Sequence, residues 1–355
     1  MLSPQTSFLV DSVPARIYTH TMSTKTDVLM ILEKNRGNAV SGSRIAMSLG
    51  VSRNSVWKAI NSLRKDGHVI EGGSGRGYVL ARESDALSVE GISEGISKSI
   101  AADIDLHVFD SIDSTNKEAK RLAIGEPSRI QMIVSDQQTE GRGRMGRSFY
   151  SPKGSGIYIS FLFAPTFPVS KATLATGAAA AATARAISSV SGKQCQIKWV
   201  NDLYYDGKKI CGILTEGVTG IESRTIDYMI IGIGINCHPA DLKEQAGENA
   251  GDLGGDISRN ALAAEVANEL LPLIKDLDPA GFMEYYRQHS NVIGENIRIF
   301  GSGISSRDGE GRPATATGIT DNGGLEVEYP DGRKEVLTSG EISIRKDNSS
   351  ARRTK

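Results

Sequence analysis

The chain has 355 residues, enough for two or three domains that each bury a core. Its 41 Lys and Arg against 42 Asp and Glu give a formal net charge of −1, so total charge singles out no partner. Three cysteines without a CxxC pair or a matching His spacing argue against a structural zinc site and a disulfide framework and suit a reducing cytoplasm; no metal ligands are assigned. No apolar stretch has the roughly 20 residues of a membrane span, and no export signal opens the chain, so a membrane partner is not expected.

Residues 1–22 lack periodicity and run up to a second methionine, Met22; they read as a disordered leader or an over-called start. From Ser23 to Ala81 nine basic residues face four acidic ones, a local +5, which leaves −6 on the rest of the chain. A compact basic module on a mildly acidic body favours nucleic acid at one end only. Val28, Leu29, Ile31 and Leu32 share one helical face, and Ile45 and Leu49 repeat that spacing before Gly50 interrupts it. Ser52 is placed to cap a third helix, in which Val56, Ile60 and Leu63 form a stripe that Gly67 ends. The opposite face offers Arg53, Asn54, Trp57, Lys58, Asn61 and Arg64, types that reach phosphates and base edges. Two strand-like runs, His68–Ile70 and Tyr78–Leu80, flank a glycine-rich turn, which makes residues 23–81 a winged helix-turn-helix. Arg53, Asn54, Ser55 and Lys58 are the candidate base readers, and Arg76 at the wing tip a candidate phosphate contact. A three-helix interaction module with a solvated charged face is the alternative; the wing and the local +5 weigh against it.

A boundary falls at about residues 81–88, after which Val89, Ile92, Ile96 and Ile100 keep roughly helical spacing. Residues 88–290 alternate strand-like runs (Leu106–Phe109, Gln131–Val134, Gly156–Phe163, Gln194–Val200, Ile210–Leu214, Tyr228–Ile235) with helices at Lys171–Val190 and Asn260–Leu277, an α/β or α+β domain of catalytic size. Pro239–Asp256 reads as a polar surface loop. Residues 291–345 hold short strands at Ile297–Phe300, Ala314–Ile319, Leu325–Tyr329 and Glu335–Leu337, separated by turns such as Asp331-Gly332, the pattern of a small β-barrel; residues 346–355 read as a disordered tail. The fold class is therefore α+β multidomain.

The chemistry concentrates in Gly141-Arg142-Gly143-Arg144-Met145-Gly146-Arg147, preceded by Gln138. Glycine lets backbone N–H groups approach a ligand, and each guanidinium offers a planar fork for carboxylate or phosphate. No GxxxxGK[ST] motif occurs, so this is not a Walker loop. Alone, the loop could equally be an RG-rich nucleic-acid segment. Ser114-Thr115-Asn116 alone most resembles a helix cap, Lys198 ends an apolar strand, and the glycine-spaced strand Gly232–Asn236 fits ligand approach and plain sheet packing equally well.

In order along the chain, Ser114–Asn116, Gln138–Arg147, Ser151–Gly154, Lys198–Leu203, Gly212–Glu216, Gly232–Asn236 and Gly340–Arg345 resemble the motifs of the biotin–protein ligases, and the likeness covers about residues 24–345. The winged helix is similar to that of the bifunctional ligases that also repress the biotin operon. The resemblance implies a central ligase domain of the class II aminoacyl-tRNA synthetase-like, biotin–lipoate ligase fold and a C-terminal SH3-like barrel. It implies that biotin and ATP, with Mg²⁺, give biotinyl-5′-adenylate, and that the biotinyl group passes to a lysine of a biotin carboxyl carrier domain. It implies that Ser114, Thr115, Asn116 and Gln138 bind biotin, that Arg142, Gly143 and Arg144 hold its carboxylate and the phosphate, and that Lys198 stabilises charge at the α-phosphate. Arg142, Arg144 and Lys198 are thereby the catalytic candidates and also line the biotin site, while Asn201, Asn236 and Arg345 fall on the nucleotide side. A homodimer, favoured by bound adenylate, would bind operator DNA. Three positions depart from the resemblance: Val200 stands where proline is usual, Glu140 where a small residue is usual and Phe149 where tryptophan is common. Glu140 is expected to face solvent or to pair with an arginine of the loop. The alternatives are a ligase without an operator role, a lipoate ligase, and a transcription factor that senses a ligand without turnover.

Overall fold

The computed structural model describes residues 23–73, 75–168, 171–219, 226–239, 249–255, 257–301, 311–338 and 342–346. The leader 1–22, the tail beyond 346 and part of the Pro239–Asp256 loop lie outside the described residues.

The N-terminal module follows its local signals. Helices α1 (Thr24–Lys34), α2 (Gly42–Leu49) and α3 (Arg53–Lys65) each start behind a serine, Ser23, Ser41 or Ser52, whose hydroxyl accepts an orphan N–H of the first turn. Gly50 closes α2 in the left-handed conformation, which costs glycine little. Val28, Leu32, Ile45, Val56, Ile60 and Leu63 form a closed core with Ile70, Tyr78 and Leu80 from the wing strands β1 (Ile70–Gly73) and β2 (Gly77–Leu80). The two strands pair antiparallel, Ile70 opposite Leu80, and Val40 adds a short bridge to Tyr78.

Two short helices, α4 (Val89–Gly95) and α5 (Lys98–Ala101), lead into a seven-stranded sheet. Its strands are β3 (Ile104–Phe109), β4 (Ile130–Ser135), β5 (Gly156–Phe163), β6 (Gln196–Lys198), β7 (Asp202–Tyr205), β8 (Lys208–Thr219) and β9 (Ile226–Asn236), in spatial order β3-β4-β5-β9-β8-β7-β6. Only β3 and β4 run parallel; the other neighbours are antiparallel. The expected strand Gln194–Val200 shortens to Gln196–Lys198, because Trp199 and Val200 enter the turn into β7. Side chains alternate across the strands. Met132, Val134, Ile157, Ile159, Phe161, Ile213, Ile231, Ile233 and Ile235 enter the main core beneath α7 (Ala172–Ser191) and α8 (Arg259–Asp276). The run Ala178–Ala182 is wholly buried, so small side chains let α7 lie close to the sheet. On the opposite face Ile133, Leu162 and Ile230 meet Ala119 and Ala123 of α6 (Thr115–Ala123) in a smaller cluster. Gly212, Gly232 and Gly234 lie on that second face too, and their missing side chains leave a hollow beside α6.

After α9 (Met283–Gln288), strands β10 (Asn296–Gly301), β11 (Arg312–Ile319), β12 (Leu325–Glu328), β13 (Lys334–Leu337) and β14 (Ile342–Lys346) form an antiparallel sheet in order β13-β12-β11-β10-β14. Among the described residues no pairing closes this sheet on itself. Its apolar face, with Ile297, Ile299, Ala316, Leu325 and Val327, is continuous with the main core. The Trp199 indole donates to the Gly323 carbonyl (2.8 Å), and Arg287 donates to that of Ile319 (2.8 Å). Among the described residues no helix is long and apolar enough to cross a membrane.

Candidate functional site

The hollow is a pocket that gathers most of the residues singled out in the sequence: Ser114, Thr115, Asn116, Gln138, Arg142, Gly143, Arg144, Lys198 and Asn201 all line it, with Gly212, Gly232 and Gly234 as floor.

One wall is the start of α6. Ser114 is the N-cap residue by position, yet its side chain makes no capping bond, so the cap reading of this triplet describes the backbone only. Gln138 is fixed at both ends of its amide: its oxygen accepts from the Thr115 N–H (2.9 Å) and hydroxyl (3.0 Å), and its nitrogen donates to Ser151 Oγ (3.0 Å). Ser160 of β5, a buried serine in a largely apolar strand, lies 2.7 Å from Thr115 Oγ1 and 2.6 Å from Asn116 Oδ1. The Asn116 amide donates to Glu216 (2.7 Å), whose other oxygen pairs with Lys120 (2.7 Å). Burial alone would raise the Glu216 pKa, but hydrogen bonds from Lys120 and Asn116 and the charges of Lys120 and Arg142 outweigh it, and the carboxyl falls below its ordinary value. These polar groups hold one another in fixed orientations, which preorganises a recognition surface. Ser160 and Glu216 were not assigned roles from sequence, although Glu216 stands in the Gly-Ile-Leu-Thr-Glu run.

The facing wall is the arginine–glycine loop. A Cβ on Gly141 would strike the Phe149 carbonyl and come within 2.7 Å of Ser151 Oγ, so only glycine fits. The loop doubles back through the bond from Gly143 N–H to the Arg147 carbonyl (2.7 Å), with a 3-10 turn at Arg144–Gly146 between them. Arg144 reaches across to Asn201 Oδ1 (3.0 Å), and the Asn201 amide is tied to the Ile213 carbonyl (3.0 Å). Burial lowers the Arg144 pKa from its ordinary value while the nearby Asp202 charge raises it; an arginine stays cationic regardless. Asp202 itself pairs with Lys209 (2.7 Å). Lys198 ends β6 at the pocket wall, its ammonium 5.7 Å from the Tyr204 ring centre. The result is cationic groups on one side and neutral donors and acceptors on the other.

Other expected residues fall elsewhere. Asn236 is buried outside the lining; its amide donates to the Gly251 carbonyl (2.8 Å) and its carbonyl accepts from Leu253, so it anchors the segment 249–253. Arg345 lies on β14, but its side chain is outside the described residues. Glu140 faces solvent, one of the two expectations for it, and pairs there with Lys117 of α6 instead of with an arginine. Phe149 lies over the glycines of β8 and β9, and the Trp199–Val200 peptide is cis.

On the N-terminal module Arg53, Asn54, Trp57, Lys58 and Arg76 are exposed and Ser55 is half-buried; Trp57 is 52 % exposed on the same side of α3. Arg64 has another role than the one its position on the polar face suggested. Its guanidinium donates to the carbonyls of Ile70 and Gly72, both at 2.9 Å, and so pins the wing against α3.

A model of the biotin/lipoate A/B protein ligase family matches residues 108–236, a helix-turn-helix domain model matches 24–79, and a model of the biotin protein ligase C-terminal domain matches 299–345. The bifunctional ligase/repressor BirA of Bacillus spizizenii is 32 % identical over 323 residues, covering 88 % of this chain and 96 % of that protein. The protein of the same name from Escherichia coli is 29 % identical over 328 residues, covering 87 % and 94 %. Among solved structures, the biotin protein ligase of Aquifex aeolicus in complex with biotin and ATP superposes with a TM-score of 0.54 at 26 % identity, covering 68 % of this chain and 99 % of that one.

Proposed function

The chain belongs to the family of bifunctional biotin protein ligase/repressors, and on that premise we propose that it activates biotin with ATP, transfers it to a carrier protein and represses transcription through its helix-turn-helix. The observation that carries this reading is the single pocket in which Arg142, Gly143, Arg144 and Lys198 face Ser114, Thr115, Asn116 and Gln138.

Adenylation brings two anions together, the biotin carboxylate as nucleophile and the α-phosphate it attacks, with pyrophosphate leaving. No protein nucleophile is required. What lowers the barrier is positive charge fixed in place beforehand and reactants held in line. Arg142 and Arg144 meet the carboxylate and phosphate, with Gly143 allowing close backbone approach, and Lys198 balances charge growing on the α-phosphate. Ser114, Thr115, Asn116 and Gln138 hold the rest of biotin. In the second step the amine of a carrier lysine attacks the mixed anhydride and AMP leaves. Asn201 serves the nucleotide side by holding Arg144; Asn236 acts through the segment it anchors, and Arg345 from β14. Mg²⁺ bound with the ATP phosphates would neutralise their charge. No group of three His, Cys, Asp or Glu able to hold a metal occurs among the described residues, and Asp202, the one carboxylate in the pocket lining and paired there with Lys209, would be the residue to hold it, within the one or two carboxylates usual for Mg²⁺ on phosphates.

The domains are residues 23–81, 88–290 and 291–345, the last closing as an SH3-like barrel. Arg53, Asn54, Ser55 and Lys58 read operator bases and Arg76 a phosphate, in a homodimer that forms when the adenylate is bound, in the cytoplasm. One preparation tests both activities: incubation with biotin, ATP and a carrier domain, followed by a DNA-binding assay. Pyrophosphate exchange with lipoate but not biotin would overturn the ligase assignment, unchanged transfer by Arg142→Ala would remove the loop from catalysis, and no DNA binding with biotin and ATP would remove repression.

A further inference from the structure

The segment between the DNA-binding module and the ligase domain is gripped from both sides. From the first, Arg36 donates to the carbonyls of Ala81 (3.1 Å) and Ser84 (2.7 Å), and Ser84 Oγ accepts from Val69 N–H (3.0 Å). From the second, Asp85 accepts from the Arg259 N–H (2.8 Å) and from its Nε (2.5 Å), and the Asp85 carbonyl accepts from Nη2 (3.0 Å). Asn260 donates to the Ala86 carbonyl (2.9 Å) and accepts from Ser88 N–H (3.1 Å). A passive tether needs none of these bonds.

Arg259, 5 % exposed at the start of α8, also points the other way. Its Nη1 pairs with Asp136 and donates to the Gly156 carbonyl (2.9 Å). Asp136 follows β4, two residues before Gln138, and accepts from Gly154 N–H (3.0 Å) in the turn that begins at Ser151. It therefore sits at the base of both chains joined by the Gln138–Ser151 bridge, where Gln138 N–H donates to the Ser151 carbonyl (3.1 Å). One guanidinium spans Asp85 and Asp136, a geometry that the fork of arginine permits and the point charge of lysine does not. His238 completes the cluster, its Nε2 lying 3.1 Å from Asp85.

We propose that Arg259 is a positioning residue that ties the Gln138–Ser151 wall of the biotin pocket to the linker of the DNA-binding module, so that filling the pocket tightens the linker. The inference rests on the pocket's being the biotin site. It is tested on the full chain by hydrogen exchange of amides 84–88 with and without biotin and ATP, together with pyrophosphate-exchange kinetics. In the wild type, ligand slows exchange of these amides about tenfold, the size of an ordinary coupling. Arg259→Lys abolishes that response and raises the KM for biotin about tenfold while kcat stays within twofold. Asp85→Asn abolishes the linker response with both kinetic constants within twofold, and Asp136→Asn raises the KM; these two cover the case in which Arg259→Lys fails to fold. A wild type without biotin-dependent pyrophosphate exchange overturns the ligase reading. A wild type that exchanges normally but whose linker ignores ligand overturns the coupling, as does an Asp85→Asn chain that responds like the wild type.

Discussion

Gly234→Ala should disable the pocket from its floor. A Cβ on Gly234 would lie 2.5 Å from Cε1 and 2.7 Å from Cζ of Phe149, against the ~3.5 Å at which carbon atoms normally touch. The ring must retreat by about 1 Å. The Phe149 backbone is tied to the loop, its N–H donating to the Gly141 carbonyl (2.9 Å) and its carbonyl accepting from Ser151 (2.9 Å), so whatever part of the retreat side-chain rotation does not absorb carries the Gly141–Arg147 loop with it. Overpacking of this kind costs about 1–3 kcal/mol of stability. Displacing Arg142 and Arg144 by about 1 Å costs up to ~100-fold in rate, or about 2.7 kcal/mol. Pyrophosphate exchange measures kcat and KM for biotin, and thermal unfolding the stability. A second substitution, Phe149→Leu, should restore most of both, because the smaller side chain vacates the space. Full activity of Gly234→Ala, or a loss that Phe149→Leu leaves unrepaired, would refute the packing argument.

Burial pulls the His68 pKa down to about 4, with the Asp66 charge opposing. Above pH ~6.5 the ring is neutral in both folded and unfolded chains; below it the unfolded chain takes up a proton that the folded one refuses. Stability of the N-terminal module therefore falls by about 2 kcal/mol from pH 7 to 5 and by about 3 kcal/mol in all near pH 4. Urea unfolding followed by Trp57 fluorescence in a Trp199→Phe background should show that acid loss shrink in His68→Leu, and an undiminished loss would assign it to other groups. Arg64→Ala should weaken DNA binding about tenfold by freeing the wing, with biotin exchange unchanged; combined with Arg76→Ala the losses should add to less than their sum in a gel-shift titration. Glu216→Gln removes the charged acceptor of Asn116 and should raise the KM for biotin about tenfold with little change in kcat, whereas an equal fall in kcat would place Glu216 at the reacting atoms.

The winged helix-turn-helix was legible because its signals are local: serine caps, 3.6-residue periodicity and a glycine turn act within a few residues of where they are written. The ordered motifs likewise pointed to the pocket, since a resemblance spread over the chain needs no geometry to be seen. Tertiary structure decided what stands opposite what. Whether Gly232 and Gly234 served a ligand or the packing of the sheet was open in the sequence; both glycines line the pocket, and their missing side chains also make room for Asn116 and Phe149, which approach from distant parts of the chain. Arg64 looked like a DNA contact until the wing folded onto it, and Glu140 found Lys117 only because α6 lies beside the loop. The charge and spacing of Arg259 gave no sign of a role, because both carboxylates it joins reach it only once the linker is laid against the sheet. Residue type and local spacing determine which elements form and which chemistry is on offer. Pairings between distant segments depend on how strands and helices stack, and only the folded chain carries that information.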